Sequence, residues 1–473
     1  MSRVLTPSFS QRALLLALVE SAVIALSLFA SFRLPVSHAG SRAAGSLPQS
    51  LASEALVALA VFQLCLFCTT LYDLGPRRSG KDLAVRLCAA LGSGWLLLWL
   101  ARFVLPGFLI GGAAFAVAIA LTAVSVLAVR LGVGVVGRLS SPSQRVLIVG
   151  SGSLAFAVEQ ELRRDHLCAD IVGVVKGVPE TAPLVEGDGK PVLGMGSDLL
   201  PIAERSRANR VILAMEEQRG TWPAHSLLRL RLRGVRVEDA HTALAALTGR
   251  VWLEGLRPSW FLSCGGFRRS ATRAVLKRAA DLILGVAGLV MASPLMLVIG
   301  IAIKLGSPGP VLYRQRRVGL QGRCFEMLKF RSMDQNAELD GGPRWASPDD
   351  PRVTSAGKYL RRFHLDELPQ FINVLRGDMS LVGPRPERPA MVERLSRTIP
   401  YYDERHTVRP GITGWAQVNY GYGGSVEDAL RKVEFDLFYL KNLSLLLDVR
   451  ILLRTVRIVL LGKSEGLPKD RAS

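Results

Sequence analysis

The sequence predicts a membrane protein in three parts: a four-span helical bundle over residues 1–139, an α/β domain over 144–250, and a mainly α domain over 273–465 with a re-entrant membrane hairpin at about 277–304. Three observations predict it. The chain has 473 residues, 21% of them charged, yet its mean hydropathy is +0.28, so the apolar excess is gathered in segments away from water. Four apolar runs, at 13–32, 51–72, 83–105 and 108–131, fill the first third. After the linker 140–143 the pattern changes to short β-branched runs alternating with helical stretches, which implies a parallel sheet.

Each apolar run is long enough for the helix of about 20 residues that crosses a bilayer. The first contains Glu20, lacks a small-residue cleavage site and is followed by further spans, so it reads as a membrane helix and not a signal peptide. Arg3 and Arg12 precede it, Arg77, Arg78, Lys81 and Arg86 lie between the second and third runs, and Arg130, Arg138 and Arg145 stand at and after the end of the fourth. Positive charge marks cytoplasmic segments, which puts both ends of the bundle in the cytoplasm. Disorder, collagen-like repeats and a disulfide scaffold are excluded. The six cysteines (Cys65, Cys68, Cys88, Cys168, Cys264, Cys324) offer no second pair for zinc and read as reduced thiols. A net charge of +20 calls for an anionic partner, either nucleic acid, lipid headgroups or a phosphorylated substrate.

In the α/β part, strands are expected at 145–150, 171–175, 210–214 and 237–240, with helices at 154–164 and 199–207. Gly150-Ser-Gly152-Ser-Leu-Ala155 resembles a dinucleotide fingerprint and marks the domain as Rossmann-like. No acidic residue ends an obvious second strand to meet a ribose hydroxyl, so a structural or regulatory use is favoured over a bound dinucleotide.

The run 282–303 is interrupted by Ser293-Pro294. Proline removes one helical hydrogen bond, and the neighbouring serine can re-satisfy the freed carbonyl. Arg273, Lys277 and Arg278 precede this run, and Lys304, Arg314, Arg316 and Arg317 follow it. A through-span would carry one basic cluster to the far side, whereas a hairpin broken at Ser293 and Pro294 keeps both cytoplasmic. Near the end, 442–463 carries Arg450, Arg454 and Arg457 at helical spacing among leucines and isoleucines, as expected for a helix lying in the membrane interface with its arginines toward phosphates. The alternative is a core-packed helix with a solvated charged stripe.

Residues 361–370 read Arg-Arg-Phe-His-Leu-Asp-Glu-Leu-Pro-Gln, placing Asp366 beside Glu367. Adjacent acids are common on solvated helices, but these have basic company in Arg314, Arg316, Arg317, Lys329, Arg331, Arg361, Arg362, Arg376, Arg385 and Arg409. Such a set suits a diphosphate, with a carboxylate as metal ligand or nucleophile. Pro384 and Pro386 restrict the backbone on both sides of Arg385, and the turn from Arg409 to Asn419 brings Gln417 as a contact for a base or sugar.

Together, Lys277-Arg278 to Pro294, Gly309-Pro310-Val311, Lys329-Phe-Arg331-Ser-Met333, Leu365-Asp-Glu-Leu-Pro-Gln370, Gly383-Pro-Arg-Pro386 and Arg409-Pro-Gly-Ile-Thr-Gly-Trp-Ala-Gln-Val-Asn419 resemble the bacterial sugar transferase family, the polyprenyl-phosphate hexose-1-phosphate transferases. The front of the chain is similar to the large members, and the stretch 401–424 to the exopolysaccharide branch. The resemblance implies that Asp366 is the nucleophile and a Mg²⁺ ligand, with Glu367 its partner acid. Lys329, Arg331, Arg361, Arg385 and Arg409 are the candidates for holding phosphates. It further implies transfer of hexose-1-phosphate from a UDP-sugar to undecaprenyl phosphate through an aspartyl-phosphosugar, with release of UMP, as the initiating step of exopolysaccharide synthesis.

The bacterial inner membrane, multi-pass, is then the expected location, with the active site on its cytoplasmic face and a homodimer as the oligomer. His364 departs from the small hydroxyl residue common in the family. Two other readings stand beside this one: a membrane glycosyltransferase releasing UDP, and a non-enzymatic nucleotide-sensing scaffold. Nucleic acid is not expected as a partner, because the basic residues interleave with membrane segments and acid motifs.

Overall fold

The first four helices are apolar on all sides and pack against one another around a shared core. The computed structural model describes residues 11–33, 49–69, 71, 80–104, 112–140, 144–150, 152–164, 169–176, 191–215, 223–267, 270–306, 308–333, 352–421 and 423–461. Arg3, Arg77, Arg78, the linker residues 141–143, Ser151, Cys168 and Tyr422 lie outside the described residues. The chain divides into two compact units, Met1–Thr248 and Gly249–Ser473.

In the first unit, α1 (Gln11–Arg33), α2 (Gln49–Cys68), α3 (Gly80–Val104) and α4 (Gly112–Ser140) share a core of Ile24, Leu28, Phe62, Leu66, Leu91, Leu98 and Val126. Their outer surface is also apolar, with Leu15, Leu26, Val85, Val124 and Leu131 exposed. Inside the core Glu20 pairs with Arg130 at 2.5 Å, and the Arg130 guanidinium also donates to the Leu71 carbonyl. An ion pair so buried fixes register between α1 and α4, since breaking it strands a charge.

The α/β part holds β1 (Gln144–Val149), α5 (Ser153–Arg164), β2 (Ala169–Lys176), β3 (Val192–Met195), α6 (Leu199–Arg205), β4 (Arg210–Leu213), α7 (Ala224–Leu232), β5 (Arg236–Asp239) and α8 (Ala240–Thr248). All strand pairs are parallel, in the order β3-β2-β1-β4-β5, the doubly wound arrangement with its switch between β1 and β4. Strand β3 is an addition to the sequence reading. It is a four-residue edge strand with Val192, Leu193 and Met195 exposed, so no burial pattern marks it. Gly150 has φ +130°, and a Cβ there would stand 2.3 Å from the Ala214 carbonyl oxygen. Close approach of β4 thus accounts for this glycine without a ligand.

The second unit begins earlier than expected. Val251 donates its amide to the Glu434 carbonyl (2.9 Å) and Arg250 pairs with the Glu434 carboxylate (3.3 Å), drawing the segment before α9 (Pro258–Ser263) into it. Next comes α10 (Ala271–Gly306), a helix of 36 residues with Pro294 inside it. The break expected at Ser293 and Pro294 does not interrupt the helix: helical hydrogen bonding runs on through the proline. Ser293 Oγ donates 2.8 Å to the Val290 carbonyl, the acceptor that proline leaves without its amide. Among the described residues α10 is the one helix long and apolar enough to cross a membrane. Asp281, Gly285, Ile299 and Ile303 form its buried face, while Ile283, Val290, Met291, Leu297 and Val298 are exposed.

Both ends of α10 are bound to the same unit. The remaining elements are β6 (Leu312–Val318), β7 (Cys324–Phe330), α11 (Ser355–Arg362), α12 (Gln370–Arg376), β8 (Ser380–Val382), α13 (Pro389–Thr398), β9 (Gly411–Thr413), α14 (Trp415–Asn419), α15 (Val426–Lys441) and α16 (Leu445–Leu461). Arg278 donates to the Val374 (2.7 Å) and Leu375 (2.9 Å) carbonyls at the end of α12, and Asp281 accepts from the Leu381 amide (3.1 Å). At the other end Ile299 and Ile303 pack with Phe330 and Leu360.

The interfacial expectation for 442–463 is corrected in one respect. In α16, Arg450 and Arg454 face inward, each over the Trp415 ring (5.3 and 5.4 Å), and Arg454 donates to Asn419 Oδ1 (2.6 Å). Leu446, Val449 and Val456 face outward, so the exposed stripe of this helix is apolar. Cation–π contact with a buried indole outweighs a solvated position for these guanidinium groups.

Asn373 welds α12 to β7: its Nδ2 donates to the Glu326 carbonyl (2.7 Å) and its Oδ1 accepts from the Leu328 amide (2.9 Å), with the side chain fully buried. Asn373→Ala leaves two buried main-chain groups unpaired. It is expected to lower the melting temperature of the detergent-solubilised protein by about 5–10 °C, measured by thermal unfolding.

Candidate active site

The acid pair lies in a short connection that two packing constraints define. Helix α11 is capped by Thr354, whose hydroxyl accepts from the Gly357 amide (3.0 Å), and Gly357 lies so close to Ser332 that a Cβ would clash with its carbonyl. The helix ends at Phe363, His364 takes the left-handed region at φ +54°, and a 3₁₀ turn over Leu365–Glu367 follows. The chain reverses at His364, where glycine would be the easier residue. His364 itself is exposed, while Asp366 directly after the reversal is buried.

Glu367, not Asp366, holds the cations. Arg385 donates to it with both terminal nitrogens, Nη2 to Oε1 at 2.5 Å and Nη1 to Oε2 at 3.2 Å, and Lys329 Nζ reaches Oε1 at 3.1 Å. Burial pushes the Glu367 carboxyl up, but the charges and hydrogen bonds of Arg385 and Lys329 more than offset this and hold it well below the usual carboxylate range. Glu367 is thus ionised at every physiological pH. Among the described residues no hydrogen bond or ion pair reaches the Asp366 carboxylate. Burial pushes Asp366 up, with Lys329 opposing and the Glu367 charge adding to the rise. One acid is a fixed anchor and its neighbour is free for chemistry.

The other sequence candidates divide. Arg361, half-buried at the end of α11, has no hydrogen-bond partner among the described residues and stays available to a ligand. Arg331 is buried and serves the fold, donating to the Pro308 (2.5 Å) and Ile303 (3.5 Å) carbonyls at the end of α10. Its reading as a phosphate contact is corrected by those bonds. Arg409 donates Nε to the Gly377 carbonyl (2.9 Å), and Gln417 donates to the Ile412 carbonyl (3.1 Å). Both stabilise turns, although Gln417 Oε1 is buried without a hydrogen-bond donor among the described residues. Ser293 and Pro294 belong to α10, where their hydrogen bonding is internal.

Three residues of the surroundings escaped the sequence reading: Tyr402, Arg405 and Asp436. Arg405 stands in the polar stretch Asp403 to His406, which looks like solvated surface, yet it is buried against Asp436 at 2.9 Å. Burial pushes the Asp436 carboxyl up to about 6, with Arg405 opposing. The available signal was Asp436 itself, a single carboxylate inside the otherwise apolar run from Phe435 to Leu440.

A magnesium ion fits this donor set. Among the described residues no three His, Cys, Asp or Glu side chains cluster to cage a metal. Mg²⁺ is normally held by one or two carboxylates with substrate phosphates and waters, and Asp366 is an unpartnered carboxylate of that kind.

All of these side chains fall in the region that matches a known family pattern, described as bacterial sugar transferase, over residues 272–462. Over 188 residues the chain is 40% identical to the exopolysaccharide production protein PSS of Rhizobium leguminosarum bv. phaseoli, covering 38% of this chain and 94% of that protein. The chain belongs to the bacterial sugar transferase family. It is 45% identical over 243 residues to a UDP-N-acetylgalactosamine-undecaprenyl-phosphate N-acetylgalactosaminephosphotransferase of Aeromonas hydrophila, covering 51% of this chain and 56% of that one. It is 35% identical over 323 residues to a UDP-glucose:undecaprenyl-phosphate glucose-1-phosphate transferase of Xanthomonas campestris pv. campestris, covering 67% and 66%. The chain therefore spans little more than half the length of the Aeromonas protein and about two thirds of the Xanthomonas protein.

Opposite neighbours of Asp366 predict opposite pH effects. For a reaction in which Asp366 is the attacking group, the ionised form is the reactive one, and turnover is expected to fall as pH drops through the raised Asp366 value. Lys329→Met removes a charge that lowers this value and moves the acid limb of the rate profile to higher pH. Glu367→Gln removes a charge that raises it and moves the limb to lower pH. Rate profiles of both variants between pH 4 and 8, roughly the range in which a perturbed carboxylate titrates, check the pair of signs.

Proposed function

We propose that the protein transfers hexose-1-phosphate from a UDP-sugar to undecaprenyl phosphate, releasing UMP, as the initiating step of exopolysaccharide synthesis. The observation that carries this reading is the buried, unpartnered Asp366 beside two cations held on Glu367. The names of the relatives agree with the substrate classes.

In the reaction an Asp366 carboxylate oxygen attacks the sugar-bearing phosphorus of the UDP-sugar. The bond from that phosphorus to the oxygen bridging the two phosphates breaks, and UMP leaves with the electron pair. The sugar phosphate is then held as an acyl phosphate on Asp366. A phosphate oxygen of undecaprenyl phosphate attacks the same phosphorus, and the Asp366 carboxylate is released unchanged. Lys329 and Arg385 stand where they balance the diphosphate charge, with Arg361 as a further donor. Glu367 keeps both cations in place. Bound Mg²⁺, held by Asp366 and substrate phosphates, would supply charge neutralisation.

The membrane placement belongs to the same proposal. Undecaprenyl phosphate presents its head at the bilayer surface, while UDP-sugars are soluble in the cytoplasm. A site at the inner face of the cytoplasmic membrane serves both. Basic residues stand at both ends of α10 (Arg273, Lys277 and Arg278, then Lys304) and both its ends bind one unit, which supports α10 bending at Pro294 to enter and leave the same leaflet. Helices α1–α4, apolar inside and out, are the four spans of this reading.

With purified protein, Mg²⁺, undecaprenyl phosphate and either UDP-glucose or UDP-N-acetylgalactosamine, the expected product is lipid-dependent UMP. Asp366→Asn is expected to reduce its release by about a thousandfold or more at unchanged melting temperature. UDP as product would establish sugar transfer instead, and binding without turnover would establish the scaffold reading.

A further inference from the structure

Arg385 grips Glu367 with its side chain, and its own backbone is held by a row of hydrogen bonds. From residue 384 to 387 each carbonyl has a donor. Pro384 accepts from the Gly411 amide (3.0 Å), Arg385 from Arg405 Nη2 (2.9 Å), Pro386 from Arg317 Nη1 (2.9 Å) and Glu387 from the Val318 amide (2.9 Å). Arg405 is fixed in turn. Its Nη1 donates to the Tyr402 hydroxyl (2.8 Å), its guanidinium faces Asp436 Oδ2 (2.9 Å), and all three side chains are buried. A buried ion pair of this kind adds little stability over apolar residues of the same shape. What it does supply is a donor at a set place beneath the loop between the two prolines.

We infer that Arg405 is a positioning residue for the transfer reaction, placing the Arg385 guanidinium beside Asp366 by fixing the Arg385 carbonyl. The inference rests on the function proposed above. Arg405 touches no reacting atom. Lysine at this position keeps a charge opposite Asp436, but a single ammonium on a flexible stem does not reproduce the planar fork that serves Asp436, Tyr402 and the carbonyl together.

The test is a kinetic cycle in the full-length protein, reading UMP from UDP-glucose or UDP-N-acetylgalactosamine with undecaprenyl phosphate. Arg405→Lys is expected to lower kcat by roughly 10- to 100-fold while KM for the UDP-sugar changes less than about threefold. In an Arg385→Met background the same substitution is expected to cost less than about threefold, because the group it positions is gone. The paired variant Arg405→Met/Asp436→Leu leaves neither charge buried alone. It is expected to melt within about 5 °C of the wild type and to show the same kcat loss. Full multiplication of the two losses in the cycle, or a wild-type kcat in the paired variant, would overturn the positioning role while leaving the transferase reading intact. A wild-type protein that releases no UMP removes the reading and the inference with it.

Discussion

The pairing of the Glu367 carboxylate with two cations organises the site. Its two oxygens take three hydrogen bonds from Arg385 and Lys329. These come from the loop after β8 and from β7, so one anion ties the 3₁₀ turn to two separate strands. Removing it would leave two cations desolvated in the same space, which is costlier than the pair is stabilising. The arrangement also divides labour between adjacent acids. Neighbouring side chains in a 3₁₀ turn point about 120° apart, so Glu367 turns toward the cations while Asp366 faces elsewhere and has no partner among the described residues.

The membrane helix and the site share supports. Near the start of α10, Lys277 donates to the Val382 carbonyl (3.1 Å) and to Asp448 (2.8 Å), while the Tyr439 hydroxyl shares its one proton between the same Asp448 (2.8 Å) and the same carbonyl (3.2 Å). Asp281 takes the Leu381 amide. Residues 381 and 382 lead directly into the Gly383–Glu387 loop that carries Arg385. The long apolar helix is therefore bonded to the strand that leads to Arg385, the arginine that pairs with Glu367. Helix α16 joins this support through Asp448 and turns an apolar stripe outward, as a surface beside lipid requires.

Much of this was legible in the sequence because it rests on pattern. Apolar runs gave α1–α4 and α10, β-branched runs gave β1, β2, β4 and β5, and the acid pair in a basic neighbourhood gave the site. What was not legible is which partner each charge meets. Arg331 and Arg385 look alike in sequence, yet one meets the carbonyls at the end of α10 and the other a carboxylate. The arginines of α16 have helical spacing whether they face phosphates or an indole, and Trp415, which decides it, lies 35 residues from Arg450. Pro294 marks a lost hydrogen bond, but the sequence does not show that helical backbone continues past it, with Ser293 taking up the freed Val290 carbonyl. Nor does adjacency of Asp366 and Glu367 in sequence state which of the two the cations choose.

The central claim is that Asp366 alone carries the sugar phosphate while Glu367 only holds its cations. The most direct measurement is peptide-mapping mass spectrometry of the protein quenched in acid after exposure to UDP-sugar without a lipid acceptor. The account predicts a hexose-phosphate adduct on Asp366 and none on Glu367. An adduct on Glu367, or UMP formed in full turnover with no adduct at any acceptor concentration, would contradict it.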